Sequence, residues 1–481
     1  MTDTVTGNPV ATAYTGPFSL DRPHFVGVGG CAMSGLARLL AESGRRVTGS
    51  DIADSPTLEM LRTAGVITYP GHHRSYIEGA SCVVYTTVAQ GADEVHAARS
   101  AGIPVIHRAQ AIEALCTRRR LIAVSGSHGK STTAGVLATA LRQLGEDPTY
   151  LIGADLDAPG SGARLGKSDL MVVEADESDR SFLFLPPAIA VITNVTDDHP
   201  ENFATHAELV DSYVAFAERI VKGGVLIVNA DDEGAAEVAA RIAAYRADLR
   251  VLSYGRSGTA DYRLTSVAGS GWNLRAEVVL PSGQEVALAL STPAPHHVHN
   301  AIAALACTNV LGVGPVAASQ AVSTFTGVRR RFENLGTVAG VTVIDSYADH
   351  PNEILADLCA ARTLTAGQVL VAFQPSGHSR VAAFGAVIGE ILNERADHVM
   401  LLDVHGTLPT TGPTADAAQI ATRLDDDRYT LPMGSKHVAW IVNQMAKPGD
   451  VVLTMGTGDV TTYGKVIIDQ LAARKAPSQT V

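Results

Sequence analysis

The sequence has few cysteines and no surplus of positive charge. Its five cysteines are scattered and never form a Cys-x-x-Cys pair, which argues against a disulfide framework and against a zinc knuckle. Lysine and arginine number 37 against 49 aspartates and glutamates, so the net charge is -12. A nucleic-acid partner would require a basic surface. We therefore expect no nucleic-acid partner and a reducing, cytoplasmic location.

The sequence also lacks long apolar runs. No stretch approaches the roughly 20 apolar residues of a membrane helix, and the opening residues lack the basic start and apolar core of a signal peptide. We expect neither a membrane partner nor secretion. With 481 residues, 46% of them apolar and 18% charged, the chain fits a globular protein. Its length favours about three domains.

A short apolar strand, a glycine turn and a helical pattern recur along the chain, which is the alternation that builds parallel sheets covered by helices. Between about residues 261 and 291 the pattern changes to alternating strands, typical of a small antiparallel flap. We predict an α/β protein of three domains. They are an N-terminal Rossmann-like domain (1–117), a central P-loop-type ATP-binding domain with the flap (118–327) and a C-terminal Rossmann-like domain (328–481).

The first glycine turn, "GVGGCA", follows the apolar strand "HFV" and precedes a helical pattern. Glycines at such a turn let a diphosphate approach the backbone amides of a helix start. Asp51, at the end of the second strand, can bind a ribose hydroxyl. The motif alone fits NAD and a nucleotide sugar equally well, and it also fits a turn that serves only packing.

The second glycine turn, "SGSHGKST", lacks the first glycine of a complete Walker A signature. Gly126 and Gly129 permit a tight turn whose amides face inward. Lys130 supplies positive charge for a phosphate, and Ser131 or Thr132 can bind magnesium. A lysine at a helix N-terminus is unfavourable unless an anion lies there, so this motif indicates a nucleotide site.

Two polar stretches, "EADESD" and "TNVTDDH", follow neighbouring apolar strands. Acids at the carboxyl ends of parallel strands lie beside the phosphate loop and suit magnesium, so the candidate ligands in the first stretch are Glu174, Asp176, Glu177 and Asp179. A solvated acidic turn is the structural alternative. His199 is either a second metal ligand or a cap for the helix that begins near Ala207.

Functions of three other classes explain only parts of this pattern. An NAD-dependent oxidoreductase would use the first glycine turn alone, and a P-loop kinase or ATPase would use the second alone. A catalytically inactive binding protein would leave the joint presence of Lys130, Glu174 and His199 without a reason. Nicotinamide absorbance and amine-dependent phosphate release distinguish these classes.

Seven motifs occur in order over essentially the whole chain: "GVGGCAMSG", "GSHGKSTT", "EADESD", "TNVTDDH", "HNAIAALA", "GVRRRFE" and "FQPSGHSR". In these motifs the sequence resembles the Mur ligases, whose phosphate loop likewise lacks the first Walker glycine. The resemblance implies ATP-dependent amide formation through an acyl phosphate, with magnesium as cofactor, in peptidoglycan synthesis. The implied partners are a UDP-sugar carboxylate and an amino acid or other amine. We expect a monomer or a weak homodimer.

The resemblance also implies roles for individual residues. The catalytic ones are Lys130, Glu174, His199, Arg331, His350 and Arg380. Those that bind ATP are Gly126, Gly129, Lys130, Ser131, Thr132, Asn300, Arg331 and Asp345. The magnesium ligands are Ser131, Glu174 and His199. The residues that bind the UDP-sugar are Gly29, Gly30, Ser34, Asp51 and His72. Because Arg331 and Asp345 follow the predicted domain boundary, we expect domain closure to assemble the site.

The sequence departs from the family branch that it resembles most in the motifs for the incoming amino acid. Asp349 stands where this branch usually has a histidine, and Ser376 and Gly377 stand where it has a His-Arg pair. Loss of an arginine and gain of a carboxylate disfavour the binding of a simple α-carboxylate. Two alternatives follow: a ligase in which His350 and Arg380 suffice, or a paralogue that joins a different amine.

Overall fold

The N-terminal region of the computed structural model is a parallel sheet with helices on its faces. The structure describes residues 13–156, 158, 160–200, 202–406 and 414–474, so the ends of the two outer predicted domains lie outside it. The elements are β1 (Pro23–Val26), α1 (Cys31–Glu42), β2 (Thr48–Asp51), α2 (Pro56–Thr63), β3 (Ile67–Pro70), β4 (Cys82–Tyr85), α3 (Asp93–Ser100), β5 (Val105–His107) and α4 (Arg108–Cys116). The strand order β3-β2-β1-β4-β5, parallel throughout, is that of a doubly wound sheet.

The central region is built on a ten-stranded sheet. Its elements are β6 (Arg120–Ser125), α5 (Lys130–Gln143), β7 (Thr149–Leu151), β8 (Ala163–Arg164), β9 (Leu170–Glu174), β10 (Ile189–Ile192), α6 (His206–Glu218), β11 (Val225–Asn229), α7 (Glu233–Ala243), β12 (Arg250–Gly255), β13 (Tyr262–Ser270), β14 (Asn273–Val279), β15 (Glu285–Leu290), α8 (His296–Val310) and α9 (Pro315–Val322). The strand order is β15-β14-β13-β12-β11-β10-β6-β9-β7-β8. Strands β13 to β15 pair antiparallel and form the expected flap. The short antiparallel pair β7–β8 had no clear signal in the sequence.

The C-terminal region has a six-stranded sheet in the order β16-β17-β21-β18-β19-β20. Its elements are β16 (Glu333–Val338), β17 (Val341–Ser346), α10 (Pro351–Leu364), β18 (Val369–Gln374), α11 (His378–Arg395), β19 (His398–Leu401), α12 (Ala417–Ala421), β20 (Tyr429–Thr430), α13 (Gly434–Met445), β21 (Val451–Gly456) and α14 (Tyr463–Ala472). Only β16 pairs antiparallel; the remaining neighbours are parallel. The fold class predicted from the sequence is therefore confirmed.

Helix α1, which follows the first glycine turn, is packed directly against the central region. Gly35, in α1, lies so close to the β7–β8 pair that an added Cβ would be 2.7 Å from a methyl group of Leu151 and 3.0 Å from Ala163. Apolar side chains of the two sheets belong to one continuous buried core. This packing fixes the start of α1 relative to the carboxyl edge of the central sheet, where the second glycine turn lies.

The cysteines and the helices of the described residues can be compared with the expectations of no disulfide framework and no membrane helix. All five cysteines are free, and three of them are buried. None of the helices in the described part of the chain combines the length and the apolar character that a membrane span requires.

The buried His24 in β1 is expected to make the stability of the protein sensitive to acid. Burial lowers its pKa from 6.5 to about 4, although Glu94 opposes the shift. His24 therefore binds a proton more weakly in the folded chain than in the unfolded chain. The contribution of neutral His24 to the free energy of unfolding is complete above pH 6.5 and is lost as the pH falls toward 4. We expect the stability difference between wild type and His24→Gln to shrink by about 2 kcal/mol from pH 7 to pH 5.

Urea unfolding of both proteins at the two pH values measures this effect. The surface variant His206→Gln is the matched control, because His206 is 46% exposed. Parallel pH profiles for wild type and His24→Gln would show that the burial of His24 does not control its protonation.

Candidate active site

The turn between β6 and α5 is held by polar groups at the end of β10. The Asn194 side chain accepts a hydrogen bond from the His128 amide at 2.9 Å and donates one to the His128 carbonyl at 3.0 Å. The Thr193 hydroxyl donates to the same carbonyl at 2.6 Å. Gly126 has a φ of 136° and lies against Thr193, so no larger residue fits there. The turn is thus fixed in shape before a phosphate binds.

Gly129 is expected to be important for the rate of the reaction. It has a φ of 82°, and an added Cβ would lie 2.6 Å from the Asn300 side-chain oxygen. Gly129→Ala should lower the rate of ATP turnover by about 10²-fold, because the turn or Asn300 must move by about an ångström. Gly145→Ala is the matched control, since Gly145 has a φ of 86° but no atom within 4 Å of an added Cβ. Equal losses in the two variants would mean that backbone strain alone causes the effect.

Lys130 begins α5 and is surrounded by acceptors. Its Nζ donates to the carbonyls of Gly126 and Ser127, at 2.6 and 3.1 Å, and to Glu177 Oε1 at 2.8 Å. Burial alone would lower the pKa of Lys130, but the neighbouring carboxylates, Glu177 foremost, outweigh it and raise that pKa. The lysine is therefore a permanent cation whose three protons can turn to a phosphate.

Two of the three predicted metal ligands, Glu174 and His199, lie in different surroundings. Glu174, the last residue of β9, accepts a hydrogen bond from the Gly153 amide at 2.7 Å. His199 has a left-handed φ of 54°, and its Nε2 lies 3.6 Å from Glu177 Oε1. Such a strained backbone is frequent at functional sites. His199 does not cap α6, because the Thr205 hydroxyl accepts from the Glu208 amide there.

The side chains around Glu174, Glu177 and His199 fit a magnesium ion only together with phosphate oxygens. Among the described residues there is no ready group of three or more side chains that could hold a metal by themselves. Glu177 is 1% exposed, and its Oε2 has no hydrogen-bond partner among the described residues. Magnesium in proteins commonly has one or two carboxylate ligands, with phosphates and water completing its shell. A buried, unpartnered carboxylate oxygen is consistent with such a site.

Arg331 links the C-terminal region to the phosphate loop. Its Nη2 donates to the Ser131 hydroxyl at 3.2 Å, and its guanidinium lies 5.0 Å from the centre of the Tyr347 ring. Both neighbours of Arg331 have left-handed φ values, 62° for Arg330 and 57° for Phe332. This irregular segment, between α9 and β16, places the Arg331 side chain against the start of α5, across the boundary between the central and C-terminal regions.

A cleft of about 400 Å³ lies between the central and C-terminal regions beside the phosphate loop. Its wall includes Gly129, Ser131, Thr132, Asn300, Arg331 and Ser346. Asp345 instead is 3% exposed and is bound by Arg330 at 3.1 Å and by the Thr454 hydroxyl at 2.7 Å. Burial raises the pKa of Asp345, although Arg330 opposes the shift. Most of the predicted ATP-binding residues therefore converge on one cleft, whereas Asp345 lies behind its wall.

His350 and Arg380 connect the C-terminal region to the segment that carries His199. His350 Nδ1 accepts from the Asn352 amide at 3.3 Å, and its Nε2 donates to the Asp197 carbonyl at 3.1 Å. Burial lowers the pKa of His350 to about 4, so the ring is neutral. Arg380 donates to Asp198 Oδ1 at 2.8 Å, beside His199.

The first glycine turn borders two cavities. Asp51 Oδ2 accepts from the Gly29 amide at 2.7 Å. One cavity, of about 270 Å³, is bordered by Gly29 and Ser34. The other, of about 420 Å³, extends from Gly30 to His199. This second cavity joins the N-terminal glycine turn to the side chains near the phosphate loop.

His72 occupies a polar network at the edge of the N-terminal sheet. Its Nδ1 lies 3.1 Å from Glu94 Oε1, which also accepts from the Ser50 hydroxyl at 2.8 Å. The Glu94 side chain has no exposed surface. The network fixes the orientation of the His72 ring next to β2, the strand that ends at Asp51.

Two residues near the site received no individual role from the sequence. Glu177 lies between Lys130 and His199, and the only sequence signal was its place in the acidic stretch after β9. Arg108 borders the larger N-terminal cavity and donates to Asp176 at 2.7 Å. Its position directly after β5, at the carboxyl edge of a parallel sheet, was the available signal.

Three family descriptions match successive parts of the chain. Residues 22–120 match "Mur ligase family, catalytic domain", residues 124–308 match "Mur ligase middle domain", and residues 330–458 match "Mur ligase, glutamate ligase domain".

Curated relatives are similar over nearly the full chain. A UDP-N-acetylmuramate–L-alanine ligase of Streptomyces avermitilis is 43% identical over 462 residues, which are 95% of this chain and 98% of the relative. A protein of the same name from Kineococcus radiotolerans is 39% identical and aligns over 97% of this chain and 99% of its own.

Solved structures share the fold. The UDP-N-acetylmuramate–alanine ligase of Thermotoga maritima has a TM-score of 0.79 at 24% identity, with 93% of this chain and 98% of the other covered. The MurF ligase of Thermotoga maritima, solved in complex with ADP, has a TM-score of 0.61 at 16% identity, with 90% and 96% covered.

Proposed function

The chain belongs to the Mur ligase family, and we propose that it joins the carboxylate of UDP-N-acetylmuramate to the amino group of L-alanine. ATP is converted to ADP and phosphate in the reaction. The proposal is supported by relatives named UDP-N-acetylmuramate–L-alanine ligase, which align over nearly the whole length of this chain. The observation that carries it is the meeting of Lys130 and Arg331, from two regions, at one phosphate loop.

The first step forms an acyl phosphate. A carboxylate oxygen of the sugar attacks the γ-phosphorus of ATP, the bond to the β-phosphate oxygen breaks, and ADP leaves. Two anions must approach each other, so fixed cations at the transferred group are the main catalytic requirement. We assign Lys130 to the γ-phosphate from the loop side and Arg331 from the side of the C-terminal region.

The nucleotide is assigned to the cleft beside the loop. Gly126, Gly129, Ser131 and Thr132 would surround the phosphates with backbone amides and hydroxyls. Asn300, whose side-chain oxygen lies against Gly129, is assigned to the adenine. Asp345 can reach a ribose only if Arg330 releases it, so we assign that role to a state in which this ion pair is broken.

Magnesium, when bound, would neutralise charge on the phosphate oxygens as a Lewis acid. Ser131, Glu174 and His199 are the assigned ligands. Glu177 is added as a candidate, because its buried Oε2 has no partner among the described residues and its Oε1 lies 3.6 Å from His199.

The second step forms the amide. The amino nitrogen attacks the acyl carbon, a tetrahedral intermediate collapses, and phosphate leaves, with one proton lost from the nitrogen. We assign Arg380 and His350 to the side from which the amino acid approaches. His350 is neutral and hydrogen-bonded at both ring nitrogens, so its assigned role is to hold the Asp197–His199 segment in place.

The UDP-sugar is assigned to the N-terminal cavities. Gly29, Gly30 and Ser34 border these cavities, and Asp51 and His72 lie on neighbouring strand ends. The larger cavity ends at His199, so a sugar carboxylate placed there would point toward the phosphate loop. Closure of the domains over this cavity would also keep water away from the acyl phosphate.

A paralogue that joins a different amine is the second candidate function. It is favoured by one observation, the buried Asp349 beside Arg380, which adds a negative charge where an amino acid would bring its own carboxylate.

Phosphate release and product mass test both candidates. Purified protein with ATP, magnesium and UDP-N-acetylmuramate is given each proteinogenic amino acid and several simple amines in turn. Selective turnover of L-alanine, with the mass of its amide product, is the expected result. Turnover with another amine alone would support the second candidate, and no turnover with any amine would exclude both for this sugar.

A further inference from the structure

The end of the antiparallel flap contacts the segment between α9 and β16, which we call the hinge. Trp272 lies in the turn between β13 and β14, and its ring centre is 5.9 Å from that of Phe332, with the two ring planes inclined by 44°. Trp272 is half-buried and packs against the apolar cluster to which Phe332 and the core of the C-terminal sheet belong. The flap, a part of the central region, therefore touches the hinge at Phe332.

Phe332 is held firmly at this position. Its side chain is 4% exposed, and its φ of 57° is rare for a bulky residue. Such a backbone persists only where the surrounding structure fixes it. Aromatic rings whose centres are about 4.5 to 7 Å apart stabilise each other beyond the area that they bury. The Trp272 ring is thus one of the contacts that hold the hinge backbone at Phe332.

Arg331 lies between two residues that are held by different regions. On one side, the Arg330 carbonyl accepts from the Tyr347 amide at 2.7 Å, and Arg330 Nη2 donates to the Gly456 carbonyl at 2.8 Å, both within the C-terminal region. On the other side, Phe332 packs against the flap of the central region. Because both neighbours are fixed, the backbone that carries Arg331 to the start of α5 has little freedom.

Trp272 itself lies away from the cleft to which the nucleotide is assigned. The described residues around that cleft include Arg331 and Phe332 but not Trp272. Trp272 borders a different cavity, of about 380 Å³, which it shares with the same two hinge residues. Its effect on the transferred phosphate must therefore pass through the hinge.

We propose that Trp272 is a positioning residue, which acts through Phe332 to keep Arg331 at the phosphate loop. The inference rests on the proposed ligase function, in which Arg331 meets the γ-phosphate. Loss of the indole leaves room beside Phe332, and neighbouring groups move partly into such a space. The hinge backbone then shifts and carries Arg331 away from the phosphate. The flap thus contributes to catalysis although it lies outside the site.

Removal of the indole tests this role. In Trp272→Ala we expect kcat to fall by about tenfold, because a small displacement of a charged group from the reacting atoms is costly. The KM for ATP should change by less than about twofold, since the lost interaction is made chiefly in the transition state. Trp272→Phe keeps an aromatic ring and should restore kcat to within about threefold of wild type. Phosphate release at saturating sugar and L-alanine gives both constants.

The other tryptophan of the chain provides the matched control. Trp440 lies in α13, far along the chain from the flap, and is 55% exposed. Trp440→Ala should leave kcat unchanged. Urea unfolding of every variant gives the folded fraction under assay conditions, so that kcat is compared per folded molecule. Trp272→Leu takes the place of the alanine variant if the latter does not fold.

A second background separates positioning of Arg331 from a general structural effect. Arg331→Lys keeps a cation but lacks the forked guanidinium, so turnover is reduced but remains measurable. If Trp272 acts through Arg331, then Trp272→Ala should lower kcat by less than about threefold in this background. Equal losses of kcat in both backgrounds, an unchanged kcat in Trp272→Ala alone, or no recovery in Trp272→Phe would overturn the proposal. Failure of the proposed function has a different signature, namely no phosphate release from the wild-type protein with any amine.

Discussion

Replacement of Lys130 by alanine is expected to lower the rate of amine-dependent phosphate release by at least about 10³-fold. Lys130 is the cation at the centre of the phosphate loop, with its Nζ 2.8 Å from Glu177. Without it, the buried charge of Glu177 faces the γ-phosphate unopposed, and the transferred group loses a positively charged hydrogen-bond donor. Phosphate release with ATP, magnesium, UDP-N-acetylmuramate and L-alanine measures the loss.

The same substitution removes the partner of a buried carboxylate, so stability must be measured beside activity. We expect Lys130→Ala to lower the free energy of unfolding by about 3 kcal/mol, the cost of an unpaired buried charge. The double variant Lys130→Ala/Glu177→Gln removes both charges and should regain most of this stability without regaining turnover. Recovery of activity in the double variant would mean that Lys130 serves only to neutralise Glu177. Lys465→Ala is the control for the loss of a lysine away from the site, because the Lys465 side chain is 81% exposed.

Replacement of Arg331 by alanine is expected to lower kcat by about 10³-fold, with a much smaller change in the KM for ATP. Arg331 reaches Ser131 from the other side of the domain boundary, so its contact with the transferred phosphate forms only when the two regions are together. An interaction made chiefly in the transition state affects kcat more than binding. Steady-state kinetics with saturating sugar and L-alanine separate the two constants.

The chain offers a close control for this prediction. Arg329 lies two residues earlier in the same segment, is 40% exposed and lies 3.4 Å from Glu333. Arg329→Ala removes an equal charge from the hinge without touching Ser131, so its kcat should stay within about threefold of wild type, an effect of 0.7 kcal/mol or less. Comparable losses in the two variants would indicate that net charge in the hinge matters, rather than the contact of Arg331.

The positions of the glycine turns and of Lys130 could be predicted from the sequence because they depend on local rules. An apolar run followed by glycine and a helical pattern indicates a strand, a turn and a helix start without reference to the rest of the chain. The carboxyl ends of β6, β9 and β10 then meet at one edge in any parallel sheet. The grouping of Lys130, Glu174 and His199 near that edge follows from the same rule.

The group that each acidic side chain contacts could not be predicted in this way. Glu174 ends a strand and binds the Gly153 amide, whereas Glu177, in the turn that follows, binds Lys130. The four acids of this stretch, Glu174, Asp176, Glu177 and Asp179, are equivalent in composition. Turn backbones have no period that assigns a side chain to a face, so the choice between these two carboxylates depends on the packed structure.

The sequence by itself determined the α/β class, most of the order of the strands and helices along the chain and the phosphate loop, because these depend on contacts between near neighbours. Only the tertiary structure decided the charge partners: Asp345 with Arg330, and Arg380 with both Asp349 and Asp198. Arg380 and Asp198 are 182 residues apart in the chain. Ion pairs in the interior depend on which carboxylate and which cation are desolvated side by side, and that is settled only when the sheets pack.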